Sequence, residues 1–559
     1  MTGGQAVVEV LRAEGLKYVF GIPGTTTVPI VDALAKYPDM TYILGLNESV
    51  VVGMAHGYAQ ATGRPSFVNI HAMIGTAHSL GNLINAYKDG SPVVLNPCVP
   101  DNRFLGDDCF LDARDAVETV QQFTKWSWLA QGTDTLPQVF RRAFKVAAAP
   151  PTGPTFVATP TNILADKADV TLYQAERYHV TAGPRGDPDK IRAAAEVLAK
   201  SKSPIIVAGR GVAKSGAVPE LVKLAELLGA AVFAEPHNIL LNFPTDHPQY
   251  LGGLERSSPL VSVADVVLGV GCKMFTEFIY IPAPVVPETA KIIHVNVDPW
   301  EIGKAYPADI GIIADAKLAA RDLHEALASS MTREQLSGCK ERAKAVKKIN
   351  DQMQAEAEEF AKKDFDAKPI KGWRLVKDMK AVASDAIIVS EGMSSAGYLA
   401  ALYDFHKPGS YYATSGSCMG WASSAALGVK LANPDRPVIA FVGDGCFSMS
   451  FQSLWTAARY NIPAVIMVLD NYEYMAIKAA LFAYKGYAAE KKLPIGVDLG
   501  NPNVDYAKLS ESLGVHGVKV ESPEEIKPAL KEALSSGRPE LLDVILDPRE
   551  TGYRRPRLQ

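Results

Sequence analysis

The chain has 559 residues, 48% of them hydrophobic, with 57 Lys and Arg set against 61 Asp and Glu. That length exceeds what one core supports and argues for about three domains. A net charge of -4 with no basic run, and no apolar stretch of spanning length, argue against nucleic acid and membranes as partners.

At the N-terminus "QAVVEVLRAEG" is amphipathic at once, without the basic-then-apolar order of a signal peptide. The first block, to about residue 180, alternates β-rich runs ("YVFGIPG", "TYILGLN", "PSFVNIH", "SPVVLNP") with helical stretches such as "SVVVGMAHGYAQATG". Such alternation predicts a parallel sheet covered on both faces. A connector rich in Gly and Pro, "TAGPRGDP", follows.

The second block, about 189 to 340, repeats the pattern in "SPIIVAGRG", "AAVFAEP", "ADVVLGVG" and "KIIHVNVDP". Its "VAGRGVAKSG" lacks the third glycine of GxGxxG, so neither FAD nor NAD is expected. A charged stretch from Met331 to Lys363 reads as a solvated linker helix. Six scattered cysteines, with no CxxC pair, read as reduced thiols of a cytoplasmic protein.

In the third block, two apolar strand-like runs, Val438 to Val442 and Pro463 to Leu469, stop at Gly443-Asp444-Gly445 and at Asp470-Asn471. In open parallel sheets, ligands collect beyond the carboxyl ends of strands. The glycines let backbone approach closely. The stretch Phe447 to Tyr460 has helical periodicity, and its N-terminus favours an anion. Asp444, Asn471 and a loop carbonyl make a hard-oxygen set that suits Mg²⁺, which keeps phosphate oxygens in its octahedron. The ligand expected is a diphosphate bridged by Mg²⁺. Two ordinary turns are the plainer reading, since Gly, Asp and Asn are turn formers. A spacing of about 27 residues, with strand, helix and strand between, favours the site.

GDG followed by Asp-Asn at this distance resembles the signature of thiamine-diphosphate-dependent enzymes. The stretch "GDGCFSMSFQSLWTAARYNIPAVIMVLDNYEYMAI" is most similar to benzoylformate decarboxylase and its relatives. The resemblance implies three doubly wound α/β parallel-sheet domains: pyrimidine-binding over 1–183, central over 184–345 and diphosphate-binding over 346–559. It implies that Asp444, Asn471 and the Glu473 carbonyl ligate Mg²⁺, for which Ca²⁺ could substitute, and that Gly443, Gly445 and Tyr474 contact the cofactor. Asp470 stands where the family usually has a first Asn. In "YYATSGSCMGWASSAALG", Met419 would lie under the bend of the cofactor, and the Ser417 carbonyl would meet the aminopyrimidine.

In the first block the resemblance singles out Glu48 within "YILGLNESVVVGMAHGYAQATG". A carboxylic group against N1′ would stabilise the imino tautomer that removes the C2 proton, which is acid–base catalysis relayed through the cofactor. A helix N-terminal Glu that merely satisfies the dipole is the alternative. "FGIPGTTTVP" puts Thr25 where benzoylformate decarboxylase has a serine near the substrate carboxylate. His71, in "NIHAMIGTAHSLGNLINAY", stands on that enzyme's active-site histidine, which implies proton transfer and argues against acetolactate synthase. The relatives' second active-site histidine falls on Phe278, and His56 and His78 read as helix residues away from the thiazolium. Phe110, Leu111, Phe278, Met419, Ala476, Ile477 and Ala480 are expected around the acyl group. Ala476 and Ala480, four apart, would share a helix face and leave a roomy apolar pocket, unless alanine there only permits close packing.

The resemblance thus implies a cytoplasmic homo-oligomer, a dimer or a tetramer of paired dimers, whose cofactor sites each draw on two subunits. Its substrate would be a small 2-oxo acid or acyloin. Non-oxidative decarboxylation to an aldehyde and CO₂ is the expected reaction. An acyloin lyase or carboligase, of the benzaldehyde-lyase or acetolactate-synthase kind, is the alternative that Phe278 supports. A non-catalytic cofactor-binding protein is a third, against which Glu48, Asp444 and Asn471 stand.

Overall fold

The computed structural model describes residues 1–104, 107–180, 183–275 and 282–550. Its strands are β1 (Tyr18–Ile22), β2 (Thr41–Leu44), β3 (Ser66–His71), β4 (Val93–Val99), β5 (Trp126–Leu129), β6 (Thr155–Pro160), β7 (Pro204–Ala208), β8 (Ala231–Ala234) and β9 (Tyr250–Gly253). They continue as β10 (Val266–Val270), β11 (Lys291–Asn296), β12 (Ile310–Ile313), β13 (Ile387–Glu391), β14 (Tyr411–Tyr412), β15 (Val438–Gly443), β16 (Val465–Asp470), β17 (His516–Val520) and β18 (Glu540–Ile545). These make three six-stranded α/β sheets. The first is ordered β2-β1-β3-β4-β6-β5 and the second β12-β11-β10-β7-β8-β9. The third runs β13-β15-β16-β18-β17, its sixth strand being the two-residue β14. The three-domain α/β class expected from the sequence holds.

Parallel neighbours need crossover helices, and those helices cover both faces, so the strands carry nearly unbroken apolar runs. Every residue of β4, β6, β7 and β16 is buried. The period of two divides each strand between two cores. In the first sheet Phe20, Val68, Leu95 and Phe156 pack on one face, and Val19, Phe67, Val94 and Val157 on the other.

Two compact units hold these sheets. One gathers Met1–Thr181, Ala386–Met393 and Thr414–Arg549, and so contains the first sheet and all but β14 of the third. Within it the helix Glu48–Thr62 lies against the helix Ala422–Ala432, at a separation only glycine permits. A Cβ added to Gly57 would stand 2.2 Å from the Ala425 carbonyl oxygen, and one on Gly428 1.9 Å from that of Met54. The edge strand β2 is closed by the helix Ser453–Tyr460. The Leu44 N–H donates to Tyr460 Oη at 2.9 Å, Tyr460 Oη donates to the Tyr42 carbonyl at 2.7 Å, and Thr456 Oγ1 donates to the Leu44 carbonyl at 2.9 Å. A buried network adds a further tie: Trp421 Nε1 donates to His56 Nδ1 at 2.9 Å, and His56 Nε2 lies 3.4 Å from Asp89, whose other oxygen accepts from the Ser415 N–H and hydroxyl.

The second unit contains the middle sheet and the helix Arg333–Phe360, which begins with a capping box between Thr332 and Gln335. The charged stretch therefore is the helix expected. It also packs on its own unit, since Cys339, Val346, Asn350 and Ala357 are buried and Arg342 donates to the Leu228 carbonyl at 2.6 Å. After β8 the buried Glu235 accepts the backbone N–H of Arg210 at 2.8 Å and of Lys273 at 3.0 Å, so a carboxylate occupies the glycine-rich turn after β7.

One periodicity reading is corrected. The stretch Phe447 to Tyr460 is not one helix: a turn over Asp444–Phe447 closes at once, and the helix restarts at Ser453. Ser450 N–H returns to the Phe447 carbonyl and Ser453 N–H to that of Ser450, each three residues back, so local turns replace the helical ladder. With four residues only, the first turn offers little of the N-terminal dipole expected there.

Candidate functional site

Both sheets of the first unit present polar side chains at their carboxyl ends. At the third sheet, β15 ends at Gly443 and hands over to Asp444, which is 5% exposed. Its Oδ1 accepts the Gly445 N–H at 2.7 Å, and its Oδ2 has no hydrogen-bond partner among the described residues. β16 ends at Asp470, 1% exposed, whose Oδ1 accepts the Tyr472 N–H at 3.1 Å while Oδ2 is again unpartnered. The two carboxylates face one another, a contact that needs a shared proton or a cation.

Burial raises the Asp444 carboxyl above its ordinary range. Burial, followed by the charges of Asp543 and Asp444, pushes Asp470 up to about 9, and burial lifts Asp543 to about 7. Asn471 follows directly and is 9% exposed; its Oδ1 accepts the Glu473 N–H at 3.0 Å. The next residues are held by a short bridge to 497–499: Tyr474 N–H donates to the Val497 carbonyl and Leu499 N–H to the Tyr472 carbonyl, each at 2.8 Å. The Glu473 carbonyl accepts the Met475 N–H at 2.8 Å, and its carboxylate takes Lys478 Nζ at 2.6 Å. Gly445 is required by close approach, because a Cβ there would meet the Tyr474 ring at 2.3 Å.

A hard divalent cation fits these residues. An orphaned buried carboxyl oxygen on Asp444, a second on Asp470 and the amide oxygen of Asn471 are hard oxygen donors, and a cation there would take the place of the proton that the two facing carboxyls otherwise need.

Sequence reasoning missed Glu391. It ends β13, is buried, and accepts three backbone N–H groups, from Gly420 at 3.1 Å, Trp421 at 3.0 Å and Ala422 at 2.9 Å. Burial lifts its carboxyl to about 7 against the pull of those donors. Glu391 thereby anchors the loop carrying Ser417 and Met419, in which Ser417 has φ +59° and Gly420 φ +87°. The signal was present in "VSEG", a buried strand ending in a carboxylate and then glycine, as "VGDG" does. From the other side Asn85 clasps the same loop, donating to the Cys418 carbonyl at 2.9 Å and accepting its N–H at 3.0 Å. No motif pointed to that contact.

At the first sheet, Glu48 is the first residue of its helix, capped by Asn47, whose Oδ1 accepts the Ser49 N–H at 2.9 Å. The Glu48 side chain is 14% exposed and its Oε2 lies 3.1 Å from His78 Nδ1. His78 is on a helix, as expected, and stands beside Glu48. His56 is in the buried network described above. His71 ends β3 with Nδ1 2.8 Å from Thr26 Oγ1, and Thr26 Oγ1 donates to the Cys98 carbonyl at 2.6 Å. Thr25 is exposed in the turn Thr25–Thr27, one residue from the hydroxyl that meets the imidazole.

The residues expected around an acyl group are less gathered. Ala476, Ile477 and Ala480 lie on the helix Met475–Ala483, of which only Met475 is buried; Ile477 is 58% exposed. Phe110 is 86% exposed, Leu111 is half-buried with φ +69°, and Met419 is half-buried. Phe278 lies outside the described residues. In the single chain Phe110, Ala476, Ile477 and Ala480 are exposed. Among the described residues no helix is long and apolar enough to cross a membrane.

Comparison with known proteins places this geometry. Residues 1–115, 191–323 and 392–544 match the N-terminal TPP binding domain, central domain and C-terminal TPP binding domain of thiamine pyrophosphate enzymes. A probable acetolactate synthase large subunit from Methanocaldococcus jannaschii is 34% identical over 98% of this chain and 93% of its own. A benzoylformate decarboxylase from Pseudomonas aeruginosa is 30% identical over 96% of this chain and 98% of its own. Among solved structures, the thiamine diphosphate-dependent 4-hydroxybenzoylformate decarboxylase of Rhodococcus jostii RHA1 superposes with a TM-score of 0.84 at 28% identity, covering 98% of this chain and all of that one. The buried acid edge of the third sheet, the Glu48 helix and these full-length likenesses converge: the chain belongs to the thiamine pyrophosphate enzyme family.

Proposed function

We propose that the chain is a thiamine-diphosphate- and Mg²⁺-dependent decarboxylase of 2-oxo acids, releasing an aldehyde and CO₂ without oxidation. The observation that carries this reading is His71, set at the carboxyl end of β3 with its imidazole held by Thr26. A fixed titratable group at a strand's carboxyl end suits proton delivery to a bound substrate. The likeness to decarboxylases of benzoylformate and 4-hydroxybenzoylformate supports an aryl 2-oxo acid as substrate class.

When bound, thiamine diphosphate would supply the nucleophilic carbon and electron sink for cleavage next to a carbonyl. The chain's own residues would do the rest. Asp444, Asn471 and the Glu473 carbonyl would hold Mg²⁺ and the diphosphate, with Gly443, Gly445 and Tyr474 beside them. Ser417 and Met419, on the loop anchored by Glu391, would support the aminopyrimidine and the bend. Glu48 would exchange a proton with N1′ in a site shared between two copies of the chain, assembled as a dimer or as paired dimers. Thr25 is assigned to the substrate carboxylate. Phe110, Leu111, Ala476, Ile477 and Ala480, with Phe278, are assigned to the acyl pocket, which the second copy would close. In this reading 1–183, 184–345 and 346–559 are the pyrimidine-binding, central and diphosphate-binding domains. All six cysteines are free thiols, which suits the cytoplasm.

The second reading is carboligation of the acetolactate-synthase kind, favoured by the 34% identity to a probable acetolactate synthase large subunit. An assay of purified protein with thiamine diphosphate and Mg²⁺ separates the two. Aldehyde and CO₂ from aryl 2-oxo acids support decarboxylation, acetolactate from pyruvate supports ligation, and neither product from a full panel of 2-oxo acids and acyloins refutes both.

A further inference from the structure

We infer that Thr26 is a positioning residue that keeps a proton on Nδ1 of His71, so that Nε2 is the only nitrogen of that ring able to give or take one. A threonine hydroxyl has one proton to donate and lone pairs that accept. Thr26 Oγ1 lies 2.6 Å from the backbone carbonyl of Cys98, which can only accept, so the hydroxyl proton is committed there. Its other contact is His71 Nδ1 at 2.8 Å. With the proton spent, the oxygen faces the ring as an acceptor, and a stable contact at that distance requires Nδ1–H. In the neutral ring the lone pair is then on Nε2; in the imidazolium both nitrogens carry protons and Nε2–H is the one free to leave.

Three features make the arrangement rigid. Thr26 is 7% exposed, on the turn Thr25–Thr27, so the hydroxyl has little water to turn toward. The ring is packed against Gly24, where an added Cβ would stand 2.2 Å from His71 Cγ; any larger residue would displace the imidazole. The Cys98 carbonyl is fixed within the buried strand β4, whose Cys98 Sγ accepts from Asn69 Nδ2 at 3.2 Å. Burial pushes the Cys98 thiol up to about 12, so no thiolate forms near neutrality to draw the hydroxyl away.

The functional weight of the inference rests on the reading that His71 moves protons, whereas the proton's place on the ring does not. The test is magic-angle-spinning NMR of sedimented holoenzyme labelled with ¹⁵N,¹³C-histidine, with His71 assigned by its loss in His71→Gln. Recorded at a pH high enough that the ring is neutral, the expected spectrum shows His71 as the Nδ1–H tautomer, unchanged in Thr26→Ser and moved to a mixture or to Nε2–H in Thr26→Val. Turnover should fall in Thr26→Val and return in Thr26→Ser. An Nε2–H tautomer in the wild type overturns the inference, and this holds even if Thr26→Val does not fold. So does an Nδ1–H signal that survives Thr26→Val. Full turnover in His71→Ala would remove the catalytic reading while leaving the tautomer result standing.

Discussion

At the carboxyl edge of the first sheet, contacts close: His71 meets Thr26 at 2.8 Å, Thr26 meets the Cys98 carbonyl at 2.6 Å, and Glu48 meets His78 at 3.1 Å. At the same edge of the third sheet they stay open, since Asp444 and Asp470 each keep a buried oxygen with no partner. Both edges come from one sheet architecture in one unit, so topology does not explain the difference. The first edge is set by the chain itself. The third gathers buried carboxyls that its own N–H groups do not fully satisfy, so each must keep a proton or face a cation, and in the proposed function a cation takes that place.

The largest effect follows from that difference. Removing divalent cations by chelation should take turnover to background while His71 and Glu48 keep their contacts, and added Mg²⁺ should restore it. Retained turnover after exhaustive chelation would mean that the acid edge does not hold the required ion. Next in size, Glu48→Gln keeps the shape but loses the exchangeable proton, so turnover should fall by roughly 10²-fold or more. Exchange of the cofactor's C2 proton, followed by NMR in deuterated water, should slow in parallel; normal exchange would leave Glu48 a helix-terminal residue only. His71→Ala should then lose rate with cofactor affinity intact, and wild-type turnover on the best substrate would move the proton-transfer role elsewhere.

The two edges should also differ in how they respond to pH. Carboxyls whose folded values are raised, Glu391 and Asp543 to about 7 and Asp470 to about 9, hold protons that the unfolded chain has released. Between about pH 4 and the folded values the native state therefore binds more protons, and stability falls as pH rises. In chelator the unfolding temperature should drop as pH climbs from 5 to 9, and saturating Mg²⁺ with thiamine diphosphate should flatten that slope. A slope unchanged by the metal would separate the raised carboxyls from the ion.

The smallest effect concerns the exposed helix Met475–Ala483. Filling the face shared by Ala476 and Ala480 with Ala480→Phe should weaken bulky aryl substrates by about 1–3 kcal/mol while sparing pyruvate-sized ones. Equal loss on both would make the helix a packing surface.

Much of this was legible in the sequence, for a definite reason. Strands buried on both faces leave unbroken apolar runs, and the turn that ends each run puts its polar residue at the carboxyl edge; Asp444 and Asn471 were found that way, whereas Glu48 and His71 were singled out by the family resemblance. Glu391 obeyed the same rule and was passed over because one carboxylate before a glycine carries little weight without a partner motif. Other contacts have no local trace. Asn85 reaches Cys418 from 333 residues away, and His78 reaches Glu48 across two helices. Periodicity reports which face a residue occupies, not what stands opposite. The continuous helix expected over Phe447 to Tyr460 failed because local turns can meet the same backbone groups at similar cost.

In the proposed function, a divalent cation and the diphosphate it carries complete the third sheet's edge. Calorimetric titration of thiamine diphosphate into metal-free protein, with and without Mg²⁺, tests it most directly in the wild type and in Asp444→Ala. Saturable binding that requires Mg²⁺ in the wild type and is lost in Asp444→Ala is the predicted result; equal affinity without the metal, or in Asp444→Ala, would contradict it.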